Sequence, residues 1–210
     1  MEPPELKVTV FSDYMCPFCY VGHHRLMRLK DSFDLKINWC FVQIRPHIST
    51  EGEPVTALNY SADHWKRLLD SLEGVAAEEN IPLAEIRMIC NSRDAMLLAE
   101  AAKILGRERF YALHEAIFQA YFVRGKNIGD RKVLLQLCED CGIDQNFAET
   151  AWHNPQHAQR LRSNITLAQQ QNIRSVPAFD FGNQVLAGVV SEQRLREAAS
   201  GTLQQPATAS

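Results

Sequence analysis

The feature that most constrains this chain is a Cys-x-x-Cys pair, Cys16-Pro17-Phe18-Cys19, placed between a strand pattern and a helix pattern. Residues 6–11 are β-branched, aliphatic or aromatic apart from one lysine, which predicts a buried strand. Apolar residues near helical spacing follow the pair, and residues 35–44 predict a second strand. A strand, a helix and a strand in this order predict a parallel pair joined by a right-handed crossover.

The position of the pair favours redox chemistry. A cysteine attacks a disulfide as the thiolate, and its ordinary pKa of about 8.5 leaves little thiolate near neutral pH. Cys16 precedes the first turn of the predicted helix, where unpaired N–H groups and the helix dipole stabilise negative charge. Pro17 suits the first helical position, and Cys19 returns to the same face one turn later. We therefore predict that Cys16 attacks and that Cys19 resolves the mixed disulfide.

Two other interpretations of the pair stay open at this point. A Cys-x-x-Cys pair can be half of a structural zinc site, and Cys138 and Cys141 form a second pair that could complete four ligands. Alternatively, both sulfurs simply pack. In the second pair, the two inner acids and the predicted helix end disfavour a thiolate. We predict packed or partly exposed cysteines there, and we expect Cys40 and Cys90 to be small buried apolar residues.

The middle of the chain has a different character from its two ends. Residues 49–60 are rich in glycine, proline, asparagine and hydroxyl side chains, which predicts a loop. Apolar residues then recur every three or four positions and predict five or six helices, near 61–80, 92–105, 107–122, 130–141, 144–153 and 156–172. Strand character returns at 178–188 with a Gly182-Asn183 turn, and a last helix opens near residue 191 and continues to about 199.

This order of elements predicts an α/β fold interrupted by an all-helical insertion. We assign residues 1–47 and 173–200 to the α/β part and residues 48–172 to the insertion. Residues 201–210 are predicted to be a disordered tail because they are polar and terminal.

The composition excludes several classes of function. The 22 lysines and arginines against 25 acids give a net charge of −3, so no basic excess exists to bind nucleic acid. No apolar run approaches the roughly 20 residues that span a bilayer, and the start of the chain does not resemble a signal peptide. Six cysteines without such a signal indicate redox or metal chemistry. We expect a cytoplasmic protein without nucleic-acid or membrane partners.

The Val176-Pro177 step lies where the chain re-enters strand character. A trans proline is ordinary at the first residue of a strand. A cis bond, the minority outcome by proline statistics, would turn the backbone groups of Val176 towards an extended substrate. We predict a substrate-binding surface made of Val176, Pro177, Pro17 and Phe18. His23 shares the face of the Cys16 pair, where it would either lower the pKa of Cys16 as a cation or be a solvated helix residue.

Together these features resemble the DsbA family of thioredoxin-like proteins, and within it the FrnE-like branch. The matching segments are Asp-Tyr-Met-Cys-Pro-Phe-Cys-Tyr-Val-Gly at 13–22, the stretch from Pro46 into Glu-Gly-Glu-Pro at 51–54, Asn-Ser-Arg-Asp-Ala at 91–95, Ala-Tyr-Phe at 120–122, Asn-Ile-Gly-Asp at 127–130, and Ile-Arg-Ser-Val-Pro-Ala-Phe at 173–179. The resemblance implies a thioredoxin-like fold with an inserted helical domain. It also implies Cys16 as nucleophile, Cys19 as resolving cysteine, and a cis Val176–Pro177 bond that faces them.

The predicted function is therefore that of a thiol–disulfide oxidoreductase acting on disulfide- or thiol-containing proteins or small molecules. Phe18 stands where the strong oxidants of the family carry histidine, so we expect a less depressed Cys16 pKa and a less oxidising couple. We expect no metal and no required organic cofactor, with glutathione an option as reductant or co-substrate. The oligomeric state is open, a homodimer included.

Two alternatives accompany this prediction. The first is a glutathione-dependent isomerase or transferase, of the 2-hydroxychromene-2-carboxylate isomerase or kappa-class type. Those relatives usually carry serine at the position of Cys16, so the presence of both cysteines counts against it. The second is a non-enzyme, namely a zinc-stabilised binding module that uses Cys16, Cys19, Cys138 and Cys141.

Overall fold

The computed structural model describes residues 2–204, which form a four-stranded mixed sheet surrounded by helices. The strands of this sheet are β1 (Glu5–Ser12), β2 (Asp34–Phe41), β5 (Ala178–Asp180) and β6 (Val185–Ala187), and β3 (Glu53–Pro54) pairs with β4 (Met88–Ile89) in a second, small sheet. The helices are α1 (Pro17–Arg28), α2 (Ala62–Glu79), α3 (Arg93–Ala102), α4 (Arg107–Phe122), α5 (Arg131–Asp140), α6 (Gln145–His153), α7 (Pro155–Gln170) and α8 (Glu192–Gln204). Short 3-10 helices cover Leu29–Asp31, Val55–Leu58 and Lys103–Leu105.

The main sheet has the order β2-β1-β5-β6. Strands β1 and β2 are parallel, with Ser12 opposite Phe41 at their carboxyl ends, and β5 is antiparallel to β1, with Val10 opposite Phe179. Helix α1 connects β1 to β2, so the predicted βαβ unit is confirmed. The Cys16 pair follows directly from the carboxyl end of the central strand.

Both faces of β1 are covered near its carboxyl end. Leu6, Val8 and Val10 alternate into the main hydrophobic core, as expected for a strand with period two. Phe11 points to the opposite face, where it belongs to a second cluster with Cys40, Ala168 of α7 and Ala178. Covering on both sides gives the segment that carries the site a rigid base.

Helices α2 to α7 all lie between β2 and β5 in the chain. Helix α4 packs its aromatic side chains against the thioredoxin-like part, with the ring of Phe118 at 4.8 Å from that of Tyr14 and the ring of Phe122 at 5.8 Å from that of Tyr20. At the start of α5, Asp130 accepts a hydrogen bond from the Lys132 N–H, whereas Ser92 at the start of α3 makes no such bond. The predicted thioredoxin-like fold with inserted helices is confirmed.

Three predicted boundaries are wrong. The second strand ends at Phe41 rather than at residue 44, because the Ile44 N–H donates instead to the Asp13 carboxylate. The predicted loop at 49–60 contains β3 and a 3-10 helix, since two-residue strands leave no alternation in the sequence. Of the tail predicted at 201–210, the first four residues continue α8 to Gln204, and residues 205–210 lie outside the described residues.

The helices of the described part of the chain carry no membrane-spanning segment, because none of those within residues 2–204 is both long and apolar enough.

Candidate active site

Cys16 lies at the point where the chain enters α1. It is the N-cap residue, with extended backbone angles of φ −89° and ψ 114°, and Pro17 takes the first helical position, where a missing N–H costs nothing. The Cys16 N–H donates to the Asp13 carbonyl at 3.1 Å, and the Cys19 N–H donates to the Cys16 carbonyl at 3.0 Å. This first turn brings both cysteines to one side of the helix, at its positive end.

The Val176-Pro177 segment faces Cys16. The Cys16 thiol donates to the Val176 carbonyl, with 3.6 Å between sulfur and oxygen. The Val176–Pro177 peptide bond is cis, and the Pro177 carbonyl accepts from the Gly188 N–H at 2.8 Å, which ties the segment to the end of β6. Among the residues predicted to bind substrate, Pro17, Phe18 and Val176 are half-buried, whereas Pro177 is buried.

Cys19 lies deeper than Cys16. Its relative exposure is 2%, against 7% for Cys16, and its sulfur accepts from the Asp13 N–H at 3.5 Å. Burial raises the pKa of Cys19 well above its ordinary value, and the neighbouring Cys16 raises it further. The more accessible sulfur therefore belongs to Cys16, as the sequence predicts for an attacking thiol with a resolving partner beneath it.

Asp13 is a site residue that the Cys-x-x-Cys motif does not indicate. Its carboxylate is completely buried and accepts from the Met15 N–H at 2.9 Å and the Ile44 N–H at 2.7 Å. Burial raises the pKa of Asp13, and these bonds, with one from Ser92, oppose that rise. The carboxylate thus fixes the turn before Cys16 to the segment after β2. The signal that could have found it is a single acid placed directly after an apolar strand.

Comparison with known proteins agrees with this geometry. A family model, the DSBA-like thioredoxin domain, matches residues 7–200. The chain belongs to this family. The predicted resemblance to DsbA is therefore confirmed.

Individual relatives of this DSBA-like chain are distant but cover nearly its whole length. The uncharacterized protein YwbO of Bacillus subtilis is 26% identical over 196 residues, which cover 93% of this chain and 96% of that protein. A probable DsbA oxidoreductase from Streptomyces coelicolor superposes with a TM-score of 0.86 at 22% identity, covering 98% and 93% of the two chains. The cytosolic disulfide reductase DsbM from Pseudomonas aeruginosa, solved with GSH, gives 0.71 at 20% identity, covering 95% and 98%. Both structural similarities support the fold.

A buried cluster of polar side chains lies behind the DSBA-like site, between α1 and α4. Tyr14 Oη is 2.6 Å from His114 Nδ1, and His23 Nε2 is 3.2 Å from Glu115 Oε2. Tyr20 also donates to Glu115, at 3.2 Å. Three residues in or just before α1 thus bind two residues of α4, and these contacts tie the helix that follows Cys16 to the inserted helices.

The predicted solvated position of His23 is wrong. The side chain is buried rather than solvated, and burial lowers its pKa, which favours the neutral ring over a cation that would assist Cys16. Burial lowers the pKa of His114 well below the ordinary value as well. Glu115 has a pKa well below its usual range, because His23 and His24 bond to its carboxylate strongly enough to outweigh burial.

The lowered pKa values of His23 and His114 predict a loss of stability in mild acid. Their folded-state pKa values lie below the unfolded value of about 6.5, so below that pH the unfolded chain binds protons that the folded chain does not. The free energy of unfolding should fall by up to about 1.4 kcal/mol per pH unit for each histidine. Urea denaturation at pH 7.5 and 5.5 measures the loss. His114→Gln keeps an acceptor for Tyr14 and should reduce the loss by about half; an equal loss in both proteins would contradict the assignment.

The second cysteine pair lies at the end of α5. Cys138 is buried and burial raises its pKa to about 12, whereas Cys141 is half-buried. Cys40 and Cys90 are buried as well, and burial raises the pKa of each to about 11. These positions agree with packing residues. Within residues 2–204, no three His, Cys, Asp or Glu side chains are grouped so that they could hold a metal ion. The four cysteines of the zinc alternative are therefore not brought together.

Proposed function

We propose that this DSBA-like protein is a thiol–disulfide oxidoreductase that works through Cys16 and Cys19. The observation that carries the proposal is the position of the Cys16 thiol, 3.6 Å from the Val176 carbonyl and one helical turn above the buried Cys19. An incoming sulfur that reaches Cys16 would contact the half-buried Val176, whose carbonyl faces the thiol. A packed structural cysteine would not need such an approach.

The exchange runs in two steps. In the reducing direction, the Cys16 thiolate attacks one sulfur of a substrate disulfide, so that a mixed disulfide forms and the other substrate sulfur leaves as a thiolate. Cys19 then loses its proton and attacks Cys16 Sγ, which closes the Cys16–Cys19 disulfide and releases the second substrate sulfur. Two electrons pass from the cysteine pair to the substrate, and the protons end on the two released thiols. The oxidising direction is the reverse.

The surface that would contact the substrate consists of Pro17, Phe18, Val176 and Pro177. A cysteine-containing segment in extended conformation can add its backbone to that of Val176, while the half-buried ring of Phe18 offers apolar contact. The exchange needs no organic cofactor. Glutathione is the proposed reductant that turns the enzyme over, and the cytoplasm the proposed compartment; the similarity to DsbM, a cytosolic reductase solved with GSH, supports both.

A redox titration in glutathione buffers tests this function. Trypsin releases residues 8–25 as one peptide that contains Cys16 and Cys19 and no other cysteine. Alkylation followed by peptide mass should show reversible two-electron closure of this pair between about −120 and −270 mV, the range of known thioredoxin-fold couples.

The same digest contains its own control. Residues 133–160 carry Cys138 and Cys141 and should remain two alkylated thiols across this range. A Cys16 peptide that stays as two thiols, or that only accumulates bound glutathione, would refute disulfide exchange and move the transferase alternative ahead.

A further inference from the structure

Ser12 has a buried hydroxyl that takes no part in the two exchange steps described above. The residue ends β1, its relative exposure is 1%, and its carbonyl accepts from the Val42 N–H at 2.9 Å. Its Oγ is buried but makes no hydrogen bond to any group in the described part of the chain. A buried hydroxyl without a hydrogen-bond partner loses its bonds to water and gains none in the protein, which lowers the stability of the folded state.

The peptide group that follows Ser12 lies beside the sulfur of Cys19. Ser12 is on the face of β1 that carries Val10 and that faces the main core, and the adjacent Asp13 N–H reaches Cys19 Sγ at 3.5 Å. The Ser12 hydroxyl is close enough to lower the pKa of Cys19, against the larger effect of burial. A neutral thiol attracts a donor only weakly, whereas a thiolate attracts it strongly.

Cys19 must become a thiolate in a place that disfavours one. Its sulfur is almost completely buried, and in the described part of the chain the backbone donor to it is the Asp13 N–H. The Asp13 carboxylate accepts from the Met15 and Ile44 N–H groups and so offers no donor to the sulfur. The unused O–H of Ser12 is the available second donor.

We propose that the Ser12 hydroxyl is a catalytic group of the resolving step, donating a hydrogen bond to Cys19 Sγ as that sulfur becomes a thiolate. The inference rests on the proposed function. The Cys19 S–H bond breaks, its proton ends on the released substrate thiol, and the new S–S bond to Cys16 forms as the bond between Cys16 and the substrate breaks. Ser12 keeps its own proton throughout and only stabilises the charge.

The test separates the two chemical steps in one reaction. The aromatic disulfide 5,5′-dithiobis(2-nitrobenzoate) releases one coloured thiolate when Cys16 attacks it and a second when Cys19 resolves the adduct. Stopped-flow absorbance on the full chain, with Cys141→Ser in every protein compared, follows both releases. Ser12→Ala should leave the first phase within about twofold and slow the second roughly tenfold at pH 7, the effect expected for one hydrogen bond to a charged group.

The pH profile distinguishes a donor from a mere packing residue. Loss of the hydroxyl should move the midpoint of the second phase up by about one pH unit, because Cys19 then has a higher pKa. In the adduct Cys16 is bonded to the aromatic thiol and cannot titrate, so the titratable group beside Cys19 is Asp13, directly after β1, which is not altered. Ser12→Thr keeps the hydroxyl and should restore the midpoint.

Thr9→Val is the matched control, since it removes a hydroxyl from the opposite face of the same strand and should change neither phase. If the unsubstituted Ser12 protein gives two phases and Ser12→Ala keeps the rate and midpoint of the second, the role of Ser12 is refuted while the oxidoreductase function stands. If the protein with Ser12 unsubstituted releases only one thiolate and remains as a stable adduct, the proposed function itself fails. A Ser12→Ala protein that loses both phases while Ser12→Thr keeps them identifies a folding role, which also overturns the proposal.

Discussion

Replacing Cys16 with serine should lower the rate of disulfide exchange by more than about a thousandfold, because the attacking atom itself is removed. A serine hydroxyl ionises far less readily than a thiol and cannot form the mixed disulfide. Cys16 is the N-cap residue of α1, whose backbone carbonyl takes part in the first turn, so the substitution leaves the helix start in place. The measurement is the rate at which the protein reduces a peptide disulfide.

Cys19→Ser should give a different outcome. Its first step survives, because the attacking thiol of Cys16 is unchanged, but the mixed disulfide accumulates and is visible as a protein–peptide adduct by mass. Cys141→Ser, at a half-buried cysteine outside the site, is the matched control and should keep the full rate.

The isomerase or transferase alternative makes the opposite prediction. There Cys16 would only activate glutathione, and Cys16→Ser would keep activity towards small electrophiles. Exchange that persists in Cys16→Ser would place the reacting sulfur elsewhere in the chain.

Local features of the fold were predictable from the sequence. The strand before Cys16, the proline after it and the cysteine one turn later are all encoded within a dozen consecutive residues, where periodicity and helix-end chemistry act directly. The helices of the insertion were likewise placed to within a few residues, since each has an amphipathic pattern of its own. Strands β3 and β4 were missed because two residues carry no period.

Contacts between distant parts of the chain were not predictable in this way. Tyr14 meets His114 across one hundred positions, and Tyr20 meets Glu115 across ninety-five. Helical spacing predicts His23 on the face of the cysteine pair, but spacing alone cannot show that α4 covers this side chain. Burial against α4 lowers the pKa of His23, so the error in its predicted solvated position follows from a neighbour that spacing cannot show.

Gly22 on α1 is a second position where contacts with residues distant in the sequence determine which side chain fits. A Cβ atom added there would lie 2.9 Å from Cζ of Phe179 and 3.3 Å from Cγ of Pro177. Phe179 is itself buried in the core of the sheet, so its ring has little room to retreat. The glycine therefore allows α1, which carries both cysteines, to approach the segment that faces Cys16.

We expect Gly22→Val to destabilise the protein by about 1–3 kcal/mol, the usual cost of overpacking a core, and to reduce disulfide exchange by moving Pro177 away from Cys16. Even Gly22→Ala should not gain the roughly 1 kcal/mol that alanine normally adds to a helix interior. Gly74 in α2 is the matched control, since a Cβ atom there meets nothing within 4 Å.

Urea denaturation and exchange rates of the three variants test this account. Gly74→Ala should be stabilised by about 0.5–1 kcal/mol with an unchanged exchange rate, because only its helix propensity changes. If Gly22→Ala is stabilised to the same extent and exchanges at the full rate, Phe179 and Pro177 can shift to accommodate the added methyl group. In that case, close packing of α1 against the Pro177 segment is not what holds Cys16 in place.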